Sequence, residues 1–295
     1  MAAALALLIA DPLILGSQQA TALSDVEEAD LIQSQADRAE RMTVPVAVDG
    51  AGPYRFLIDT GSQRTVVSTS VATRLALAPG PTVRIIGVAG IGTAATARVD
   101  QIEFGKQVVA NLTVPLLEHQ HIGADGIIGT DALQDQRVVF DFTKETISIG
   151  SPEELGRSSG YEIVVRARRR SGRLILTNAV IDGVQTDVVV DTGASGTIGN
   201  RALQRAMRER NAGVGSLTSV TGHVLPADFG LSRLLKLGKL QIGNVLIAFA
   251  DAPAFTELRL DKRPAILLGM REMRAFKRVA IDFSTRRVLF ELVKD

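Results

Sequence analysis

Two short segments carry residue types able to do chemistry. Asp59-Thr60-Gly61 follows the apolar run Phe56-Leu57-Ile58, and Asp191-Thr192-Gly193 follows Val188-Val189-Val190, 132 residues later. An apolar strand ending in Asp-Thr-Gly delivers a carboxylate into a tight turn, and the glycine lets backbone amides approach its oxygens. One such segment is weak evidence, because Asp is common in turns. Two of them, related by a pseudo-twofold axis, bring Asp59 and Asp191 face to face. Carboxyls that close do not both ionise readily, so they share a proton and titrate as a pair. One can take a proton from a water attacking a carbonyl while the other protonates the carbonyl oxygen. That chemistry requires no metal, no cofactor and no covalent intermediate.

The elements that must position these residues are legible as a repeat. Each Asp-Thr-Gly follows an Asp-Gly hairpin turn, Asp49-Gly50 and Asp182-Gly183. Downstream, Gly126-Ile127-Ile128-Gly129 is echoed by Ala265-Ile266-Leu267-Leu268-Gly269, and Val139-Phe140-Asp141-Phe142-Thr143 by Ala280-Ile281-Asp282-Phe283-Ser284. Three matches in the same order make the 295-residue chain a tandem duplication. A period above a hundred residues means two lobes, residues 44–150 and 160–295, joined through a Ser, Gly and Glu-rich linker. Beyond Thr43 the sequence alternates short β-branched runs with Gly, Asp-Gly and Asn turns, so each lobe is expected to be all-β. Short helices are expected after each motif, over Val67–Leu77 and over Asn200–Arg210 with Asn200 as cap.

Composition removes several function classes. There is no Cys, hence no disulfide, thiolate metal site or cysteine nucleophile. Lys plus Arg is 33 against 32 Asp plus Glu, so no overall charge recommends a nucleic-acid partner. The basic run Arg166, Arg168, Arg169, Arg170 and Arg173 has no interleaved aromatics and is expected to be hairpin strands with their arginines in water. Arg201, Arg205, Arg208 and Arg210 read as the solvated face of a helix. His119, His121 and Asp125 lack zinc-ligand spacing and are expected in a solvated loop. At the N-terminus, Ala2–Ala10 and Leu13–Leu15 resemble a signal-peptide core, with Ala20-Thr21-Ala22 as cleavage site, although no basic residue precedes it. Residues 1–22 are therefore expected to be a signal peptide, 23–43 a linker, and the protein periplasmic or secreted.

With both copies in view, the sequence over residues 44–295 resembles the pepsin-like and retropepsin-like aspartic proteases, in a single-chain bacterial form. The resemblance implies a bilobal acid-protease fold and an endopeptidase with Asp59 and Asp191 catalytic. It implies that Thr60 and Thr192 interlock across the lobes, that Gly61 and Gly193 donate amides to the dyad, and that Ile127-Ile128-Gly129 and Leu267-Leu268-Gly269 pack behind the loops. The implied partner is a polypeptide substrate, with no metal, cofactor or nucleic acid, and the chain is expected to be a monomer because it holds both half-sites. Two positions depart from symmetry. Ser62 follows the first motif and Ala194 the second, so a hydroxyl beside Asp59 is expected to favour the charge there. Val88-Ala89-Gly90-Ile91-Gly92 is the expected substrate flap, and Val220-Thr221-Gly222-His223 a second hairpin; neither carries the tyrosine of pepsin flaps. The rival reading is a catalytically silent peptide-binding module on the same fold.

Overall fold

The computed structural model describes residues 41–155, 160–207 and 210–293. The expected signal peptide, most of the expected linker at 23–43, residues 156–159 between the lobes and Arg208 lie outside the described residues. Thr43 already opens β1, Met42 is buried in the core and Arg41 reaches the cleft, so these three belong to the first lobe and not to a spacer.

The first lobe is a seven-stranded sheet in the order β1-β2-β7-β3-β6-β5-β4, with a further β1–β5 pairing that curls it into a barrel. Its strands are β1 (Thr43–Val48), β2 (Ala51–Ile58), β3 (Val66–Ser68), β4 (Pro79–Ile86), β5 (Ile91–Phe104), β6 (Gln107–Leu117) and β7 (Gly126–Ile128). The second lobe repeats this order strand for strand as β12-β13-β18-β14-β17-β16-β15, closed by β12–β16 and extended at its edge by β11. Here β11 is Arg168–Arg170, β12 Arg173–Ile181, β13 Val184–Val190, β14 Thr197–Gly199, β15 Arg210–Thr218, β16 Val224–Leu237, β17 Leu240–Phe249 and β18 Ala265–Leu268. The protein is thus bilobal and all-β, with short helices. Both Asp-Gly turns have positive φ at each residue, 50° and 75° at Asp49-Gly50 and 46° and 88° at Asp182-Gly183. That is the backbone twist a tight hairpin wants.

A third sheet joins the lobes, in the order β10-β20-β19-β8-β9. β8 (Arg137–Asp141) and β9 (Thr146–Gly150) come from the first copy; β10 (Ile163–Arg166), β19 (Arg278–Asp282) and β20 (Arg287–Glu291) come from the second. The echoed segments that hold Asp141 and Asp282 are adjacent antiparallel strands here, Arg278 opposite Asp141 and Asp282 opposite Arg137.

Both expected helices are shorter than the sequence suggested. α1 is Thr69–Arg74, because β-branched Val66 and Val67 are recruited into β3. α2, His119–Ile122, is a helical turn where a loop was expected. α3 is Arg201–Ala206, and the Asn200 side chain caps it by accepting from the Leu203 amide at 2.8 Å. α4 (Pro253–Glu257) and α5 (Met270–Met273) complete the set among the described residues.

Candidate active site

Asp59 and Asp191 leave the ends of β2 and β13, whose last three residues, Phe56–Ile58 and Val188–Val190, are buried and apolar. Each is backed by a parallel neighbour. Leu57 pairs with Ile127 and Ile58 with Ile128; Val189 pairs with Leu267 and Val190 with Leu268. The Asp59 amide donates to the Ile128 carbonyl and the Asp191 amide to Leu268, both at 3.0 Å. One step further, the Thr130 and Met270 amides donate to the Ser62 and Ala194 carbonyls at 2.9 and 2.8 Å. Each loop is stitched on both sides to the second echoed segment of its own lobe.

The threonines stitch the lobes together. The Thr60 amide donates to Thr192 Oγ1 at 3.0 Å, and the Thr192 amide to Thr60 Oγ1 at 3.2 Å. Each hydroxyl in turn donates across the axis, Thr60 to the Val190 carbonyl (2.9 Å) and Thr192 to Ile58 (2.7 Å). Both are buried, so all four bonds are shielded from water. The glycines are required by contact. A Cβ on Gly61 would strike the Asp191 carboxyl, and one on Gly193 the Asp59 carboxyl.

Asp59 Oδ1 accepts from the amides of Gly61 (2.8 Å) and Ser62 (3.0 Å), whereas Asp191 Oδ1 accepts from Gly193 alone (3.1 Å). The expected hydroxyl contribution is corrected: Ser62 Oγ turns away and donates to the Arg64 carbonyl at 2.8 Å. The asymmetry at the dyad comes from a backbone amide instead. Burial raises both carboxyls above the ordinary aspartate value. At Asp59 the Gly61 amide offsets part of this. At Asp191 the neighbouring Asp59 charge adds to burial and carries it to about 7.

The dyad floors a cavity of about 720 Å³ between the lobes, in the range of pockets that take ligands. Both Gly-bearing stretches are hairpin turns above it. In the first, the Gly87 amide donates to the Gly90 carbonyl (2.8 Å); in the second, the Ser219 amide donates to His223 (2.9 Å). The tips touch: Gly87 faces Ser219 and Thr221, Gly90 and Gly92 face the His223 ring, and Gly222 faces His121. Their apolar residues cross over, Val88 packing against a second-lobe cluster with Phe255 and Leu267, and Val220 against a first-lobe cluster with Leu57 and Ile127. Of the five expected flap residues only Val88 lines the cavity. Ala89 is buried, Ile91 is 47% exposed, and the glycines face the other tip. The lining face is the strand before the turn, Val83–Ile86, because a hairpin turned edgewise presents one strand downward.

Sequence reasoning missed four groups. Thr65 Oγ1 donates to Asp131 (2.7 Å) and Thr197 Oγ1 to Glu272 (2.6 Å), matching buttresses behind the two loops. Arg41 and Arg173 are the others, and the expectation of a solvated Arg173 is corrected. It is 9% exposed, lines the cleft, and its Nε donates to the Gly61 carbonyl. Arg41 Nη1 donates to the Gly193 carbonyl at 3.4 Å. The signal was present: Arg41 and Arg173 stand 132 residues apart, as the two aspartates do. His121 also lines the cleft, whereas His119 lies 3.4 Å from Asp125 on the outer side of the same turn.

A family profile described as aspartyl protease matches residues 44–132 and, a second time, residues 177–271. Together the two matches span more than half of the chain, and each contains one Asp-Thr-Gly. No curated protein matches the chain at a significant level.

Proposed function

This chain belongs to the aspartyl protease family, and from that premise we propose that it is an endopeptidase whose catalytic residues are Asp59 and Asp191. The observation that carries the reading is the pair of hydrogen-bonded carboxyls, each held by its own loop's amides, at the floor of a cleft between the lobes. With two amides on its Oδ1, Asp59 holds the charge and Asp191 the shared proton. Asp59 takes a proton from the attacking water as its oxygen bonds to the peptide carbonyl carbon, and Asp191 gives its proton to the carbonyl oxygen. On collapse of the tetrahedral intermediate, Asp59 passes its proton to the departing nitrogen as the C–N bond breaks. Asp191 recovers one from the hydroxyl, and the dyad returns to its starting state.

The substrate is an extended polypeptide. β4 and β15 are the outer strands of their sheets and both line the cleft, so each offers an unpaired edge to which a peptide can add as a strand. One chain supplies both halves of the site, so the enzyme works as a monomer. The apolar segment before residue 23 supports export, with the mature protein periplasmic or secreted; fractionation of cells expressing the full chain tests it. The activity is tested by mass spectrometry of a diverse peptide library incubated from acidic to neutral pH with the protein lacking residues 1–22. Internal cleavage that vanishes in both Asp59→Ala and Asp191→Ala supports the reading. No cleavage at any pH by a folded protein would leave a peptide-binding module.

A further inference from the structure

Arg41 and Arg173 hold equivalent places, each donating to the glycine carbonyl of the opposite lobe's Asp-Thr-Gly loop. The equivalence breaks at the outer end of the guanidinium. Arg41 Nη2 donates to the Ile122 carbonyl, at the end of α2, at 3.1 Å. In the second lobe the carbonyl that follows α4, that of Leu258, instead accepts from Arg170 Nη1 at 2.7 Å. Arg173 Nη1 is left buried with no hydrogen-bond partner. A buried charged donor without an acceptor is costly, and a ligand that supplies the acceptor recovers that cost. The planar fork of arginine fits a carboxylate best.

The charge of the cleft points the same way. Arg41, Arg64, Arg84 and Arg173 line it, against Glu257 and a dyad that holds one proton. The whole chain carries only +1, so positive charge is concentrated in the cleft. Such a cleft favours acidic segments over neutral or basic ones.

We propose that Arg173 is a specificity-determining residue, and that the cleft selects substrates with an Asp or Glu side chain in the subsite Arg173 faces. The proposal rests on the reading of the cleft as a polypeptide site. It differs from a general preference for apolar side chains, which the apolar part of the lining would give without Arg173.

The test uses matched peptides with Glu or Gln at each position around a scissile bond. At one position the Glu peptide is expected to be cleaved with a kcat/KM about tenfold higher or more, the size of one charge-assisted hydrogen bond. Arg173→Lys, which keeps the charge and loses the fork, narrows that ratio, and Arg173→Met brings it near unity. Because Arg173 also holds the Gly61 carbonyl, a variant can misfold; the substrate pairs need no variant. A parallel arm measures binding of the same fluorescent pairs to Asp59→Asn by anisotropy. Equal cleavage of Glu and Gln peptides at every position overturns the inference and leaves the protease standing. No cleavage of any peptide, with tighter binding of a Glu peptide, overturns the protease reading and keeps the carboxylate site. Failure of both arms overturns both, and a Glu preference that survives in folded Arg173→Met overturns the assignment to Arg173.

Discussion

The second amide on Asp59 is a difference of one hydrogen bond, yet it bears on pH behaviour across the working range. Under the proposed mechanism kcat/KM falls on the alkaline side as Asp191 loses its proton near pH 7, and on the acid side as Asp59 takes one up, above the ordinary aspartate range. A pH–rate profile centred in weak acid checks this. Stability carries the same sign. Asp191 is raised in the fold, so its stabilising contribution is present below the unfolded value and lost as pH rises through about 7. Asp191→Asn cannot ionise, so its melting temperature relative to the wild type should climb by several degrees between pH 4 and pH 8. The threonines make a separate prediction. Thr192→Val strips the buried Thr60 amide of its acceptor and the Ile58 carbonyl of its donor. It should cost about 2 kcal/mol or more in urea unfolding, with Thr192→Ser milder.

At the scale of elements, the two hairpins cover the cleft by leaning on each other. Gly222 has φ near 80°, and a Cβ there would come within 2.5 Å of the His121 ring. Gly222→Ala should therefore strain the turn, push the tips apart and raise KM for a peptide substrate, with a melting temperature a few degrees lower. Adding His121→Ala removes the clash and should restore part of the loss, which steady-state kinetics of the double variant reads directly. The duplication and the Asp-Gly turns were legible because hairpin chemistry is local. Which strand of each hairpin faces the cleft was not, since Val83–Ile86 and the expected Val88–Gly92 differ only in how the hairpin is turned against the other lobe.

At the scale of the molecule, the sheet β10-β20-β19-β8-β9 joins the lobes by pairing strands from both copies. Its keystone is the pair Arg137–Asp282, 2.7 Å apart and joining the two copies, with side chains 6% and 0% exposed. Burial works to raise Asp282, but the Thr285 amide, Arg137 and the Ser284 hydroxyl outweigh it and hold it below the ordinary aspartate range. Its contribution is present above the unfolded value and lost as pH falls through the lowered one. Asp282→Asn removes the buried carboxylate that pairs with Arg137 and should cost a few kcal/mol, measured by denaturant unfolding near neutral pH. A paired replacement of Arg137 and Asp282 by apolar residues should cost much less.

The sequence alone determined the two Asp-Thr-Gly loops, their all-β lobes and their twofold relation, because strand period, turn residues and an internal repeat are written in nearest neighbours and in spacing. Only the tertiary structure decided what lies across the axis. Ser62 points to Arg64 and not to the dyad, the flap residues face each other more than the cleft, and Arg173 leaves a run of surface arginines to sit beside the aspartates. Each of these depends on a contact between residues far apart in the chain, and side-chain direction at such a contact is set by packing that no local pattern encodes.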